Sequence, residues 1–301
     1  NPGPLQSEGV APIWREIMSA CRALETPSRV AYLGPAGTFS EEAALGFFGS
    51  SIERLLCPSV DEVFRVTTTG AADFGVVPVE NSTEGVVTRS LDLFLTTPLF
   101  IIGETSLQVR HNLLRKVEGL AGIDAVCAHP QALAQCHGWL SIHLPAVERR
   151  PVTSNAEGAR LAREDARIAG IASARAASEY GLHVVGPAIQ DDPHNRTRFA
   201  IVTHPDRHPQ PRASGHDCTS LVVSVANKPG AVHDMLVPLK MHGVSMSRFE
   251  SRPARSGQWE YYFYIDVQGH PDEPRIAAAL RELRAACAFY KLLGTYPLDA
   301  H

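Results

Sequence analysis

The chain has 301 residues, 44% hydrophobic and 20% charged, which allows two or three domains with cores of their own and excludes a disordered chain. A formal net charge of -4 gives no basic field for nucleic acid or an anionic membrane surface, and no apolar run reaches the length of a membrane span. The six cysteines, Cys21, Cys57, Cys127, Cys136, Cys218 and Cys287, are scattered without CxxC pairs and read as reduced thiols of a cytoplasmic protein.

The chain starts at Asn1 rather than Met, which leaves its native beginning open. Residues 11–25 carry Ile13, Ile17, Ala20 and Leu24 at helical spacing, an apolar stripe expected to pack on something, and Pro27 ends the pattern. From Arg29 the order becomes strand, turn, helix. Residues 30–33 are a short buried strand, Gly34-Pro35-Ala36-Gly37 a tight turn, and Thr38 with Glu41 a capping box. The first amides of the helix it opens are free to meet an anion.

The unit then repeats. Residues 73–79 read as a strand whose end carries Glu80-Asn81-Ser82-Thr83-Glu84-Gly85, followed by a helix with Val87, Leu91, Phe94 and Leu95 on one face. Ligands of open α/β sheets sit at the carboxyl ends of strands, where this polar loop falls; Asn81 and Ser82 donate, while Glu80 only accepts. After the strand at 99–103 a second lobe is expected, with strands at 125–128, near 150–152, at 168–172 and at 184–185, and helices starting near Pro130, Asn155 and Ala174. Cys127, His129, Cys136 and His137 are close in sequence but match no zinc spacing, so no metal is expected. Gln131 and Gln135, one helical turn apart, share a face directed at the cleft between the lobes.

His194-Asn195-Arg196-Thr197-Arg198-Phe199 precedes the strand that returns to the first sheet and ends at Thr203. A hydroxyl and two guanidinium forks at the mouth of a buried strand suit a carboxylate. Residues 204–216, rich in proline and charge, read as a linker. Beyond it come strand 219–226, helix 230–241, strands 244–251 and 259–267, helix 274–287 and strand 291–296, the ferredoxin-like βαββαβ order. Its turn Asn227-Lys228-Pro229-Gly230 and the break from Arg252-Pro253 to Gly257 are places for ligand or subunit contacts.

Four of these motifs, in order, carry a resemblance: Gly34-Pro35-Ala36-Gly37-Thr38-Phe39-Ser40, Pro78-Val79-Glu80-Asn81-Ser82 with Gly85, Thr197-Arg198-Phe199, and Glu250-Ser251-Arg252-Pro253. Over residues 29–297 the chain resembles bacterial prephenate dehydratases with a C-terminal ACT regulatory domain. That implies an α/β fold with a two-lobed, periplasmic-binding-protein-like dehydratase domain at 29–203, divided into lobe one (29–104 and 190–203) and lobe two (105–189). A linker at 204–216 and a ferredoxin-like ACT domain at 217–301 follow. Residues 1–28 are similar to the end of the chorismate mutase domain of bifunctional mutase-dehydratases; the other mutase helices have no counterpart here, so no mutase activity is expected.

The implied reaction is loss of carbon dioxide and water from prephenate to give phenylpyruvate in phenylalanine biosynthesis, without metal or cofactor. Thr197 is implied to stand nearest the chemistry, with Arg198, Glu80 and Asn81, while Thr38, Ser82, Gln135, Asn195 and Phe199 bind substrate. Arg198 or Arg196 is expected to neutralise a substrate carboxylate. Feedback by L-phenylalanine is implied at Asn227, Pro229, Gly230, Ala231 and Val232 and at Glu250, Ser251, Arg252 and Pro253, between paired regulatory domains of a homodimer or a dimer of dimers. Two departures stand out. Ala128 replaces the serine that precedes His-Pro-Gln in the family, and Val232 replaces a leucine, one methylene less and worth about 1 kcal/mol of packing. The alternatives are an arogenate dehydratase and a non-catalytic protein that binds a small anion between two lobes.

Overall fold

The computed structural model describes residues 7–254 and 261–298; the expected strand start at Trp259 and the break at Gly257 lie outside the described residues. The first part comprises α1 (Ser7–Glu25), β1 (Arg29–Leu33), α2 (Phe39–Phe48), β2 (Glu53–Cys57), α3 (Val60–Thr69), β3 (Phe74–Asn81), β4 (Gly85–Val86), α4 (Thr88–Thr96) and β5 (Phe100–Gln108). The second comprises β6 (Asn112–Arg115), β7 (Ala125–Ala128), α5 (Pro130–Gln135), α6 (His137–His143), β8 (Glu148–Pro151), α7 (Asn155–Glu164), β9 (Ile168–Ala172), α8 (Ala174–Tyr180) and β10 (His183–Gly186). Strand β11 (Arg196–Thr203) follows, then β12 (Asp217–Ser224), α9 (Ala231–Met241), β13 (Met246–Pro253), β14 (Tyr261–Gln268), α10 (Pro274–Ala286) and β15 (Phe289–Pro297).

Three sheets result. The first has the order β2-β1-β3-β11-β5, with β4 on β3; β1 runs parallel to β2 and β3, and β11 antiparallel to β3 and β5. The second has the order β10-β6-β9-β7-β8, and the third, wholly antiparallel, β13-β14-β12-β15. Strand β5 stays paired with β11 as far as Gln108, so the chain leaves the first sheet four residues later than the expected crossing after 104.

From Phe199 onward strand β11 is buried on both faces, which suits the apolar run of its sequence there. Phe199 and Ile201 join Val30, Tyr32 and Val76 in one core, while Ala200 and Val202 join Val77, Leu91 and Phe94 in another. That second core also contains Cys218, Val222, Tyr264, Leu293 and Tyr296 of the third sheet. One face of the third sheet therefore packs directly on the first sheet. Its other face supplies Leu221, Val223, Phe263 and Ile265 to a core shared with α9 and α10.

The leading helix does not pack its apolar stripe. Helix α1 meets the first lobe through Glu16, which accepts from the Ser50 amide, and Ser19, which accepts from the Ser51 amide, while Ile13, Trp14, Ile17 and Leu24 stay exposed. No helix among the described residues is long and apolar enough to cross a membrane.

Candidate active site

Helices of both lobes begin at the rim of one cleft, which encloses a cavity of about 340 Å³. Thr38 caps α2 by accepting from the Glu41 amide, and the buried Glu41 carboxylate accepts from the Gly37 amide at 2.6 Å. Across the cleft His129 caps α5, Ser154 caps α7 and Ser173 caps α8. These four caps line the cavity, as do Phe39 and Ser40 of α2 and Asn155 and Ala156 of α7. First-turn amides have no partner within their helix and carry the positive end of its dipole. These helix N-termini offer amide donors to a cavity whose lining residues include no Asp, Glu, Lys or Arg.

The lobes are tied together beside it. Ser173 donates to the Gly37 carbonyl, Tyr180 to the Ala36 carbonyl, and Arg175 reaches Glu41 at 3.2 Å. Gly37 has φ 84° and lies so close to α8 that a Cβ would come within 3.0 Å of the Ala176 Cα; only glycine fits that turn and that approach.

The floor of the cavity is a directed chain of amides. Asn81 is registered opposite Thr197, and its Oδ1 accepts from the amides of Thr83 and Glu84 at 3.0 and 3.1 Å. That anchorage fixes the side-chain amide, so Nδ2 donates to Thr197 Oγ1 and to Asn195 Oδ1, both at 2.8 Å. Asn195 Nδ2 then donates to Gln135 Oε1 at 3.1 Å, and Gln135 Nε2 to Glu84 at 3.3 Å. Thr197 Oγ1 is an acceptor in this chain. Its own proton is left for the cavity.

Buried His111 completes the chain through Nε2, 2.9 Å from Gln135 Oε1; because that oxygen only accepts, the imidazole carries its proton on Nε2. Burial pushes His111 below the usual histidine range, with the Gln135 bond acting the other way. The unfolded chain, titrating near ~6.5, then takes up the proton first as pH falls, so this contribution to stability is full above about 6.5 and is lost below it. Melting curves should therefore show a smaller drop between about pH 7.5 and about pH 5.5 for His111→Gln than for the unsubstituted chain. Equal drops would clear His111 of that role.

Of the expected site residues, Thr38, Asn81, Gln135, Asn195, Thr197 and Phe199 line the cavity, and Gln131 does too. Ser82 stays outside the lining, where it accepts from the Arg196 amide at 2.9 Å. Arg198 and Glu80 do not reach the cavity, which corrects the expectation that they act there. Side chains alternate across a strand, so with Thr197 and Asn81 facing the cavity their neighbours face the far side of the sheet. There Arg198 pairs with Glu80 and Glu104 at 3.3 Å and with Asp266 at 3.0 Å, partners that keep the guanidinium firmly protonated against the cost of burial. Arg196 is exposed and turned to Ser106.

Sequence reasoning missed His111, Ser40, Ser154 and Ser173. For the last two the signal was available, as each precedes a helix start at the end of a strand. Ala128 lies outside the lining, to which Thr153 and Ser154 contribute hydroxyls. Cys127 and Cys136 are buried, and no three His, Cys, Asp or Glu side chains among the described residues gather as a metal site.

A family model described as prephenate dehydratase matches residues 30–207, and one described as ACT domain matches residues 219–285. The chain belongs to the prephenate dehydratase family. A bifunctional chorismate mutase/prephenate dehydratase of Neisseria gonorrhoeae is 48% identical, over 99% of this chain and 82% of its own. The prephenate dehydratase of Arthrobacter aurescens, solved in complex with L-Phe, is 35% identical with a TM-score of 0.82, covering 90% of each chain. A solved structure described as a novel type of quorum quenching acylase is 30% identical with a TM-score of 0.81, covering 90% of this chain and 98% of its own.

In this chain the ACT sheet holds a second, smaller cavity of about 80 Å³, lined by Asn227, Lys228, Ala231, Val232, Tyr261 and Phe263 among others. Pro229 and Gly230 form its turn, Gly230 with φ 81° at the start of α9. Ser251 is registered opposite Phe263 and Pro253 opposite Tyr261, beside that cavity. Glu250 and Arg252 alternate to the other face, and Arg252 bonds Thr88 and Asp92 of α4 at 3.1 and 3.2 Å. Of the expected effector residues, Arg252 is thus bonded to the dehydratase part.

Proposed function

We propose that this chain converts prephenate to phenylpyruvate, carbon dioxide and water, and that L-phenylalanine regulates it through the ACT domain. The observation that carries the catalytic part is the Thr197 hydroxyl, fixed as an acceptor from Asn81 so that its proton is free for a departing oxygen. Prephenate carries two carboxylates and one ring hydroxyl. As the ring carboxylate leaves as carbon dioxide, its bonding electrons complete the aromatic ring and expel the hydroxyl as hydroxide, which takes up one proton from solvent to become water. Helix ends hold the dianion, and Thr197 supports the negative charge gathering on the leaving oxygen.

A lining without guanidinium suits this chemistry. An arginine clamped on the ring carboxylate would stabilise a charge that disappears in the transition state, and so would favour the ground state. Neutral donors bind the carboxylate while letting it go.

The same lining has no carboxylate to meet the ammonium of arogenate, which favours prephenate as substrate. The acylase activity belongs to the neighbour so described. In this cavity Thr38, Ser154, Ser173 and Thr197 are bonded to backbone or amide groups and none of the four to an imidazole, so none of these four is paired with a base that would activate it as a nucleophile.

For regulation, the support is the cavity at Asn227, Ala231 and Val232 and the L-Phe complex of the Arthrobacter relative. Strand β13 is an edge strand with Met246 and Phe249 exposed, and an open apolar edge favours pairing with a second copy. Phenylalanine biosynthesis in the cytoplasm, by a dimer or a dimer of dimers, is the setting. Incubation with prephenate should produce phenylpyruvate absorbance in proportion to protein, with arogenate competing weakly. No product from prephenate would leave the anion-binding alternative. A monomer in sedimentation at micromolar concentration, with and without phenylalanine, would end the dimer proposal.

A further inference from the structure

The Asn81–Thr197 hydrogen bond on the cavity face has a counterpart on the opposite face of the same two strands. Glu80 and Arg198, registered opposite each other, form an ion pair at 3.3 Å, and each also grips the ACT sheet. Glu80 takes Arg248 at 3.3 Å and Arg198 takes Asp266 at 3.0 Å. We infer that Arg198 is a positioning residue through which the ACT domain sets the placement of Thr197, an inference that rests on the regulatory reading above.

Three features support it. Arg198 stands between Thr197 and Phe199, both of which line the cavity, on a strand flanked by β3 and β5. A displacement of its guanidinium therefore bears on the distance between Thr197 and Asn81. Asp266 belongs to β14, the strand that also carries Tyr261 and Phe263 into the effector cavity. Occupancy there and the grip on Arg198 thus act on one strand.

Finally, the polar part of the contact is not close-packed. A cavity of about 20 Å³, room for one water, lies among Glu104, Arg198, Ser220, Arg248, Asp266 and Tyr296. Arg198 Nε and Arg248 Nη2 are buried there without a partner. A tightly packed apolar seam has one arrangement, whereas an ionic seam with spare donors and spare room has alternatives of similar energy. Two arrangements biased by a ligand are what coupling between sites requires.

The test is Asp266→Asn in the full chain, which removes the charge and keeps an oxygen for Ser220, now bonded to Asp266 at 2.6 Å. Arg248→Gln serves as a second variant should the first fail to fold. With either, turnover without effector and phenylalanine affinity by calorimetry should stay within about threefold, while the effect of saturating phenylalanine on kcat/KM shrinks about tenfold toward none. Inhibition as strong as in the unsubstituted chain overturns the inference. So does loss of phenylalanine binding, which would make this seam part of the effector site. An unsubstituted chain that neither binds nor responds to phenylalanine removes the regulatory reading first and this inference with it, and shows itself before any substitution is made.

Discussion

Thr197→Ala is expected to lower kcat by about 10²–10³-fold while KM for prephenate stays within about threefold, as read by steady-state formation of phenylpyruvate. The split follows from what the hydroxyl does. In the ground state the leaving oxygen is a neutral hydroxyl, and one hydrogen bond to it adds little to binding already supplied by helix ends. As the carbon–oxygen bond breaks, that oxygen becomes strongly basic and the same hydrogen bond strengthens. Thr197→Ser keeps the donor and gives up only the methyl group, so it should retain activity to within about tenfold. Near-normal kcat in Thr197→Ala, with unchanged binding, would refute the role given to this residue.

The order of strands and helices from Arg29 onward follows from apolar runs, capping residues and glycine turns, and most of the expected elements stand where that pattern places them. Strands β2 and β6 and helix α3 escaped it. Strand β2, Glu-Arg-Leu-Leu-Cys, is largely exposed at residues 53–56 and so lacks the alternation that identifies a half-buried strand. The segment around Thr197 was legible as a site, but its two arginines misled. Charge complementarity argued for guanidinium facing the substrate, and that argument treated Thr197, Arg198 and Phe199 as one surface. Strand periodicity allows the cavity only the first and third of these, and the second becomes the residue buried against another domain. Which domain would cover that face is a long-range fact, fixed by Asp266 some seventy residues later and absent from any local pattern. His111 was invisible for a similar reason: its meaning depends on Gln135 and Asn195, both remote in sequence.

Placing the arginines behind the sheet also changes how the site handles charge. Arg198 sits among Glu80, Glu104 and Asp266, and burial raises the Glu104 carboxyl above the usual range even with Arg198 beside it. A guanidinium surrounded in this way has little field left to offer across the strand. The substrate cavity then depends on dipoles that do not titrate, so binding of the dianion should change little with pH above about 7, where His111 in the lining stays neutral.

The amide chain makes a sharper claim than the presence of Thr197, because it specifies a direction. Asn81→Asp preserves shape, and one carboxylate oxygen would still accept from the Thr83 and Glu84 amides. The other would replace Nδ2 at 2.8 Å from Thr197 Oγ1 and from Asn195 Oδ1. It can only accept, so the Thr197 proton turns away from the substrate toward it, and Asn195 must rotate to avoid two facing oxygens. The new negative charge also opposes a dianion. Expected, therefore, are a fall in kcat at least as large as for Thr197→Ala, about 10³-fold, and a KM raised about tenfold or more. Asn81→Ala frees Thr197 without adding charge and should leave KM closer to normal. Acidification protonates the introduced carboxyl, which burial and a nearby dianion hold above its usual range, and some activity should return in Asn81→Asp alone. If Asn81→Asp turns over prephenate as Asn81→Ala does, with the same KM and no recovery at lower pH, then the direction of the chain has no part in the reaction, and Asn81 serves only as a brace for the loop from Ser82 to Gly85.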